Sequence, residues 1–289
     1  MKPSTSVTVK IRGLDYHCRT WGEPRSPMLV LLHGYQDVSA SWQFTVDALA
    51  GDWFVVAPDW RGYGLTQWSG TDFYWYLDYL GDLDALLDIV SPDAPVNLVG
   101  HSMGGNVGSL YAGVRPERVR RFVNVEGFGI GGRRQEPAPK RLARWLDELK
   151  DDAGQRGYES FDAFAARLRA ENPRLTPERA RFLAEHWGRE DEDGAIVRRA
   201  DPAHKRVNPM PVPVDDMLAC WRAIEAPVLW VMGTESALAG RIARDPEAFE
   251  ERKAAIADLR IERVEGAGHN IHHDRPERLA ALIEEFVRA

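Results

Sequence analysis

Ser102 is the residue of this chain best suited to covalent chemistry. It stands in Gly100-His101-Ser102-Met103-Gly104, with the apolar run Val96-Asn97-Leu98-Val99 before it and the small-residue stretch Gly104 to Val114 after it. That pattern predicts a strand, a sharp turn and a helix. The turn holds the hydroxyl clear of the backbone, and the flanking glycines leave room for crowded dihedrals. A helix N-terminus aimed at the same point offers free N–H groups and the positive end of a dipole, which favour the oxyanion formed when a nucleophile attacks a carbonyl. A serine hydroxyl also needs a base near neutral pH, and imidazole is the side chain best poised to take its proton and return it. His269 ends Gly266-Ala267-Gly268-His269, directly after the strand-like stretch Leu259 to Val264.

The elements that must position these groups are readable on both sides. Met28-Leu29-Val30-Leu31-Leu32 predicts a buried strand, and it runs into His33-Gly34-Tyr35-Gln36, a turn able to present backbone N–H groups to an oxyanion. Val7 to Ile11 and Tyr16 to Trp21 predict an antiparallel hairpin around Gly13. Phe54 to Ala57, Val119 to Val125 and Val228 to Met232 predict further strands. Phe73 to Val90 carries helical spacing with Leu77, Leu80, Leu83 and Leu87 on one face, and Leu279 to Val287 predicts a closing amphipathic helix. Strand, turn and helix repeated in this way suit the crossovers of a parallel sheet.

With these residues in view, the chain resembles the α/β-hydrolase fold superfamily over nearly its whole length outside the middle third. Four motifs carry the resemblance: Leu32-His33-Gly34, then Pro58-Asp59-Trp60-Arg61-Gly62-Tyr63-Gly64, then the Ser102 elbow, then Gly266-Ala267-Gly268-His269 with Asp274-Arg275-Pro276-Glu277 after it. The resemblance implies a mostly parallel eight-stranded sheet flanked by helices, no cofactor, Ser102 and His269 in a catalytic triad, and the Tyr35 and Met103 amides in an oxyanion hole. Dehalogenases and epoxide hydrolases of the superfamily carry aspartate at the elbow, so Ser102 points instead to an esterase, a lipase or a carbon–carbon bond hydrolase.

The triad acid departs from the commonest pattern. In most relatives it lies three residues after the glycine that ends the strand following the insertion. Here that position is Ser236, in Gly233-Thr234-Glu235-Ser236, and Glu235 is one residue off. The dehalogenase branch is similar at Asn124-Val125-Glu126-Gly127, with its acid after the strand that follows the elbow. Glu126 is favoured because it needs no shift of register, and Glu235 is the alternative.

Between Phe128 and Arg222 helical spacing runs without a core strand. Arg141 to Leu149, Phe161 to Leu168 and Pro177 to Trp187 predict helices, the third N-capped by Thr176. Residues 128–222 are therefore expected to form a helical cap inserted after the sixth strand, with 1–127 and 223–289 forming the core domain. The insertion holds 18 basic and 17 acidic residues, a net of +1, which argues against a strongly charged substrate. Gln36, Trp42 and Trp187 are the candidates for substrate contact. His272 and His273 follow His269 closely, but no partner stands at ligand spacing in the sequence, so no metal is expected.

At 289 residues and 44% hydrophobic, the chain suits one large α/β domain with an insertion. Its 37 basic and 44 acidic side chains give a net charge of −7, with no bias towards nucleic acid. Cys18 and Cys220 form no disulfide framework and no C-x-x-C motif. No apolar run spans a bilayer and the N-terminus lacks a signal-peptide core, so a cytoplasmic location is expected. The expected partner is a small-molecule ester, and the oligomeric state, a homodimer included, is left open. Taken together, the residues point to a serine hydrolase of uncharged carboxylic esters. The rivals are a vinylogous-diketone C–C hydrolase using the same triad and a slow-turnover ligand-binding receptor on the same fold.

Overall fold

The computed structural model describes residues 1–130, 136–151 and 154–289. The strands among the described residues are β1 (Ser4–Ile11), β2 (Leu14–Trp21), β3 (Met28–Leu32), β4 (Phe54–Pro58), β5 (Val96–His101), β6 (Val119–Val125), β7 (Gly188–Glu190), β8 (Ile196–Arg198), β9 (Val228–Gly233) and β10 (Leu259–Val264). Eight of them form one sheet in the order β1-β2-β4-β3-β5-β6-β9-β10. The β1–β2 hairpin and the β2–β4 pair are antiparallel, whereas every pairing from β4 to β10 is parallel. Mostly parallel sheets are covered on both faces, and the strands here read as apolar runs for that reason. Leu29 and Leu31 enter the core cluster on one face, Val30 and Leu32 the cluster on the other.

The helices supply that cover. On one face lie α1 (Gln43–Ala48) and the C-terminal α11 (Pro276–Arg288), which pack on each other beside the short α10 (Ile271–Asp274). On the other lie α2 (Tyr76–Val90) and α3 (Met103–Val114), with α7 (Val214–Arg222), α8 (Ala237–Arg244) and α9 (Pro246–Ala254) contributing to the same cluster. The buried face of α2 is Tyr79, Leu83, Leu86 and Leu87, with Leu80 partly buried against the same core, so the expected leucine stripe holds except at Leu77, which is exposed. Asp82 is buried on that face because its carboxylate takes the Arg61 guanidinium at 2.6 and 2.5 Å and the Tyr16 hydroxyl at 3.0 Å.

Between β6 and α7 the chain forms α4 (Ala138–Glu148), α5 (Phe161–Glu171) and α6 (Pro177–Trp187), plus a two-stranded sheet of β7 and β8 that the helical spacing did not signal. Thr176 caps α6 as expected, accepting the Arg179 N–H at 3.2 Å. The segment has its own small core of Phe164, Leu168, Leu175, Leu183 and Ile196. It is tied down at the carboxyl ends of the central strands. Trp187 donates its indole N–H to Ser41 Oγ at 2.7 Å, Asn172 bonds Asp274 at 2.7 Å, and Arg179 bonds the His273 carbonyl at 2.8 Å. The exception is α7, which falls within 128–222 but packs along α3 of the core. No helix among the described residues is long and apolar enough to cross a membrane.

Candidate active site

Ser102 lies on the turn between β5 and α3 with φ +51° and ψ −109°, a region that L-residues seldom enter. Two constraints hold it there. Its N–H donates to the Val125 carbonyl at 2.8 Å, and close packing surrounds the flanking glycines: a Cβ at Gly104 would overlap the Leu32 carbonyl oxygen, and one at Gly100 would overlap the Gly104 carbonyl. The Met103 N–H opens α3 and is one of the amides that an α-helix cannot satisfy internally.

His269 enters from the loop after β10. Its Nε2 lies 2.9 Å from Ser102 Oγ and its Nδ1 lies 3.0 Å from Glu126 Oε2. Glu126 sits one residue past β6 at φ +59°, with its side chain wholly buried, and its Oε1 accepts the Gly233 N–H at 2.7 Å. A backbone strained at both Ser102 and Glu126 is the sort of cost proteins accept where side chains must be aimed. Glu235 lies elsewhere: its half-exposed carboxylate pairs with Arg174 of the inserted segment. At position 236 the serine hydroxyl caps α8, accepting the Ala239 N–H at 3.2 Å.

The other site residues divide. Tyr35 is half exposed, its hydroxyl bonded to the His204 carbonyl at 3.1 Å, and Gln36 follows in the left-handed region at φ +60°. The Gln36 carbonyl accepts from Arg198 Nη1 at 3.3 Å, and Gln36, Arg156, Arg198 and Lys205 border a small polar cleft of about 110 Å³. Arg198 stacks over the Trp187 ring at 5.0 Å. Trp42, by contrast, is fully buried with its ring 5.0 Å from His272, so the substrate-contact expectation for it gives way to core packing. A larger apolar cavity of about 590 Å³ lies between α2, the far half of α3 and residues 209–213. Its nearest lining residue on α3 is Leu110, eight residues and therefore about 12 Å of helix from Ser102.

Around the serine the fold also gathers buried imidazoles, of which His33 and His101 stand inside motifs already named. His33 Nδ1 contacts the Gly34 carbonyl and its Nε2 accepts the Trp60 N–H at 2.9 Å, which braces the turn before Tyr35. His101 Nε2 meets the His269 carbonyl at 2.9 Å. Burial, then the neighbouring His272 and His269, holds His101 neutral well below the usual histidine range. His272, for which the sequence showed no partner, meets Asp37, a residue 235 positions away, at 3.3 Å.

A serine, a histidine and a glutamate in line, on a mostly parallel sheet with a helical insertion, agree with what the family comparison finds. A model described as "Alpha/beta hydrolase family" matches residues 29–282. The chain belongs to the alpha/beta hydrolase family. Among curated relatives it is similar to a serine hydrolase-like protein of Danio rerio, 24% identical over 283 residues with 93% of this chain and 84% of that protein covered. It is also similar to the 3-hydroxybutyrate-oligomer hydrolase of Cupriavidus necator, 28% identical with 96% and 94% covered. A solved structure titled as a thioesterase domain from the curacin biosynthetic pathway superimposes with a TM-score of 0.87 at 26% identity, covering 98% of this chain and 99% of that one. The protein is thus a hydrolase of this family on an eight-stranded sheet.

Proposed function

We propose that this hydrolase cleaves carboxylic esters of small to medium, uncharged substrates through an acyl-enzyme on Ser102. The observation that carries the reading is the unbroken line from Ser102 Oγ to His269 Nε2 at 2.9 Å and from His269 Nδ1 to Glu126 Oε2 at 3.0 Å. In the first half-reaction Ser102 Oγ bonds to the acyl carbon while its proton passes to His269 Nε2. The tetrahedral oxyanion is met by the amides of Met103 and Tyr35. Collapse breaks the ester C–O bond, and the imidazolium returns its proton to the departing alkoxide. Water then attacks the acyl-enzyme with His269 again as base, releasing the acid and restoring the Ser102 hydroxyl. Glu126 holds the tautomer that bears a proton on Nδ1 and balances the charge that forms on the ring.

The relatives named as a thioesterase domain and an oligomer hydrolase support acyl transfer to water as the common chemistry. In this reading the core spans 1–127 and 223–289 together with α7, which packs along α3. Residues from 128 to the start of α7 form a cap, with Gln36 and Trp187 on the side facing the substrate. The test is a panel of p-nitrophenyl esters together with a fluorophosphonate probe. Ser102 is expected to carry the covalent adduct, and Ser102→Ala to abolish labelling and lower turnover by roughly 10³-fold or more. Labelling that survives the substitution overturns the assignment. An intact adduct without ester turnover would direct attention to the C–C hydrolase or the slow receptor.

A further inference from the structure

Asp37, His101 and His272 come from three distant parts of the chain, and each is buried. One ligand atom from each lies within 4.8 Å of the other two, with Asp37 Oδ2 4.0 Å from His101 Nδ1 and 3.3 Å from His272 Nε2. We propose that these three side chains form a buried binding site for a divalent transition-metal ion of the zinc class.

The donor chemistry fits such an ion atom by atom. Tetrahedral zinc bonds to imidazole nitrogen and carboxylate oxygen set two ligands about 3.4 Å apart. The His272 Nε2 to Asp37 Oδ2 separation is 3.3 Å and the His101 Nδ1 to Asp37 Oδ2 separation is 4.0 Å. A carbonyl can only accept, so the 2.9 Å contact of His101 Nε2 with the His269 carbonyl puts the ring proton on Nε2. His101 Nδ1 therefore turns a lone pair towards the Asp37 carboxylate, and it is a buried nitrogen without a hydrogen-bond partner. Two electron-rich atoms buried side by side favour a cation between them. Ligating histidines characteristically donate their other N–H to a carbonyl, as His101 does, and ligating carboxylates are themselves hydrogen-bonded. Asp37 meets that condition through Oδ1, which accepts the Val38 N–H at 2.7 Å and the Ser41 hydroxyl, leaving Oδ2 for the ion. His272 requires one change: its proton moves from Nε2 to Nδ1, the ring nitrogen that has no partner.

The three ligands also belong to the three segments that carry the candidate active site. Asp37 follows Tyr35 and Gln36, His101 precedes Ser102, and His272 lies three residues after His269. An ion bound there cross-links those segments, so occupancy is expected to raise the melting temperature.

The decisive experiment uses the whole chain, stripped with chelator and titrated with Zn²⁺, with Co²⁺ absorption as the probe of tetrahedral coordination. Expected are one ion per chain, tetrahedral Co²⁺ bands and a higher Tm. Asp37→Asn and His272→Gln should each weaken binding at least tenfold, and His269→Gln should leave it in place. Zinc-edge anomalous diffraction from soaked wild-type crystals locates the ion even if the substituted chains fail to fold. No binding by wild type, an anomalous peak away from these three atoms, or binding that is lost with His269 alone overturns the proposal.

Discussion

Replacing Glu126 by glutamine keeps the size of the side chain and reverses what His269 receives. Glu126 Oε1 accepts the buried Gly233 N–H at 2.7 Å, so an amide at this position must turn its oxygen to Gly233. Its NH₂ group then faces His269 Nδ1, where Oε2 now stands at 3.0 Å. A donor at that place forces Nδ1 to accept, and the ring proton moves to Nε2. Nε2 is the atom 2.9 Å from Ser102 Oγ, and once protonated it cannot take the hydroxyl proton. The same tautomer error in a Ser-His-Asp protease lowers kcat by about 10⁴-fold, which is about 5 kcal/mol of transition-state stabilisation. Glu126→Gln is therefore expected to lower kcat by three to four orders of magnitude on a p-nitrophenyl ester, with KM little changed and circular dichroism intact. Glu235→Gln removes only a half-exposed partner of Arg174, an interaction of the ~0–1 kcal/mol class, and kcat should stay within about threefold of wild type. A loss below about tenfold in Glu126→Gln, or the reverse ranking of the two, refutes the reasoning.

Burial holds His204 and His272 at pKa values of about 3, against about 6.5 in an unfolded chain. Because the folded value is the lower one, the unfolded chain takes up the proton first. Stability is full above about pH 6.5 and falls as pH drops towards 3, by up to about 1.4 kcal/mol per pH unit for each histidine. Asp59, held to about 2 with His17 as partner, adds a loss only below about pH 4. Urea midpoints measured from pH 7 to pH 4 should decline steadily, and a flat series would contradict the buried neutral rings. Ser236→Ala deletes the α8 cap and should cost about 1 kcal/mol in stability while leaving kcat near wild type; a collapse of kcat would give Ser236 a catalytic role beyond capping.

Much of this fold was legible because its signals are local. Thr176 and Pro177 mark the start of α6 through capping chemistry and the fixed proline φ, and the helix ends at Trp187 as its periodicity requires. The β7–β8 pair escaped notice because three-residue strands such as Gly188-Arg189-Glu190 are too short and too charged to show alternation. Asp193-Gly194, with Gly194 at φ +82°, was the turn signal available between them. Ser102 and His269 stood out because the nucleophile turn and the glycine-rich loop each have a spacing of their own. The Asp37, His101 and His272 cluster has none: its members are joined only by the closing of the sheet, and no window of sequence contains two of them except by accident of the fold.

Glu126 lies between these extremes, and the sheet explains why two readings competed. β6 and β9 are parallel neighbours, with Val125 opposite Val231, and the Glu126 N–H continues the ladder to the Val231 carbonyl at 2.9 Å. The Glu126 carboxylate reaches across to the last residue of β9, where Gly233 donates to it. It is thus delivered from β6 to the end of β9, the strand on which the family resemblance placed the expected acid position. The longer glutamate side chain and the left-handed backbone at φ +59° make that reach. With the carboxylate supplied from the neighbouring strand, position 236 is free to cap α8, and a serine there is what the helix start requires. Glu126 thus meets both the end of β9 and His269 Nδ1, the one side-chain contact of that nitrogen among the described residues.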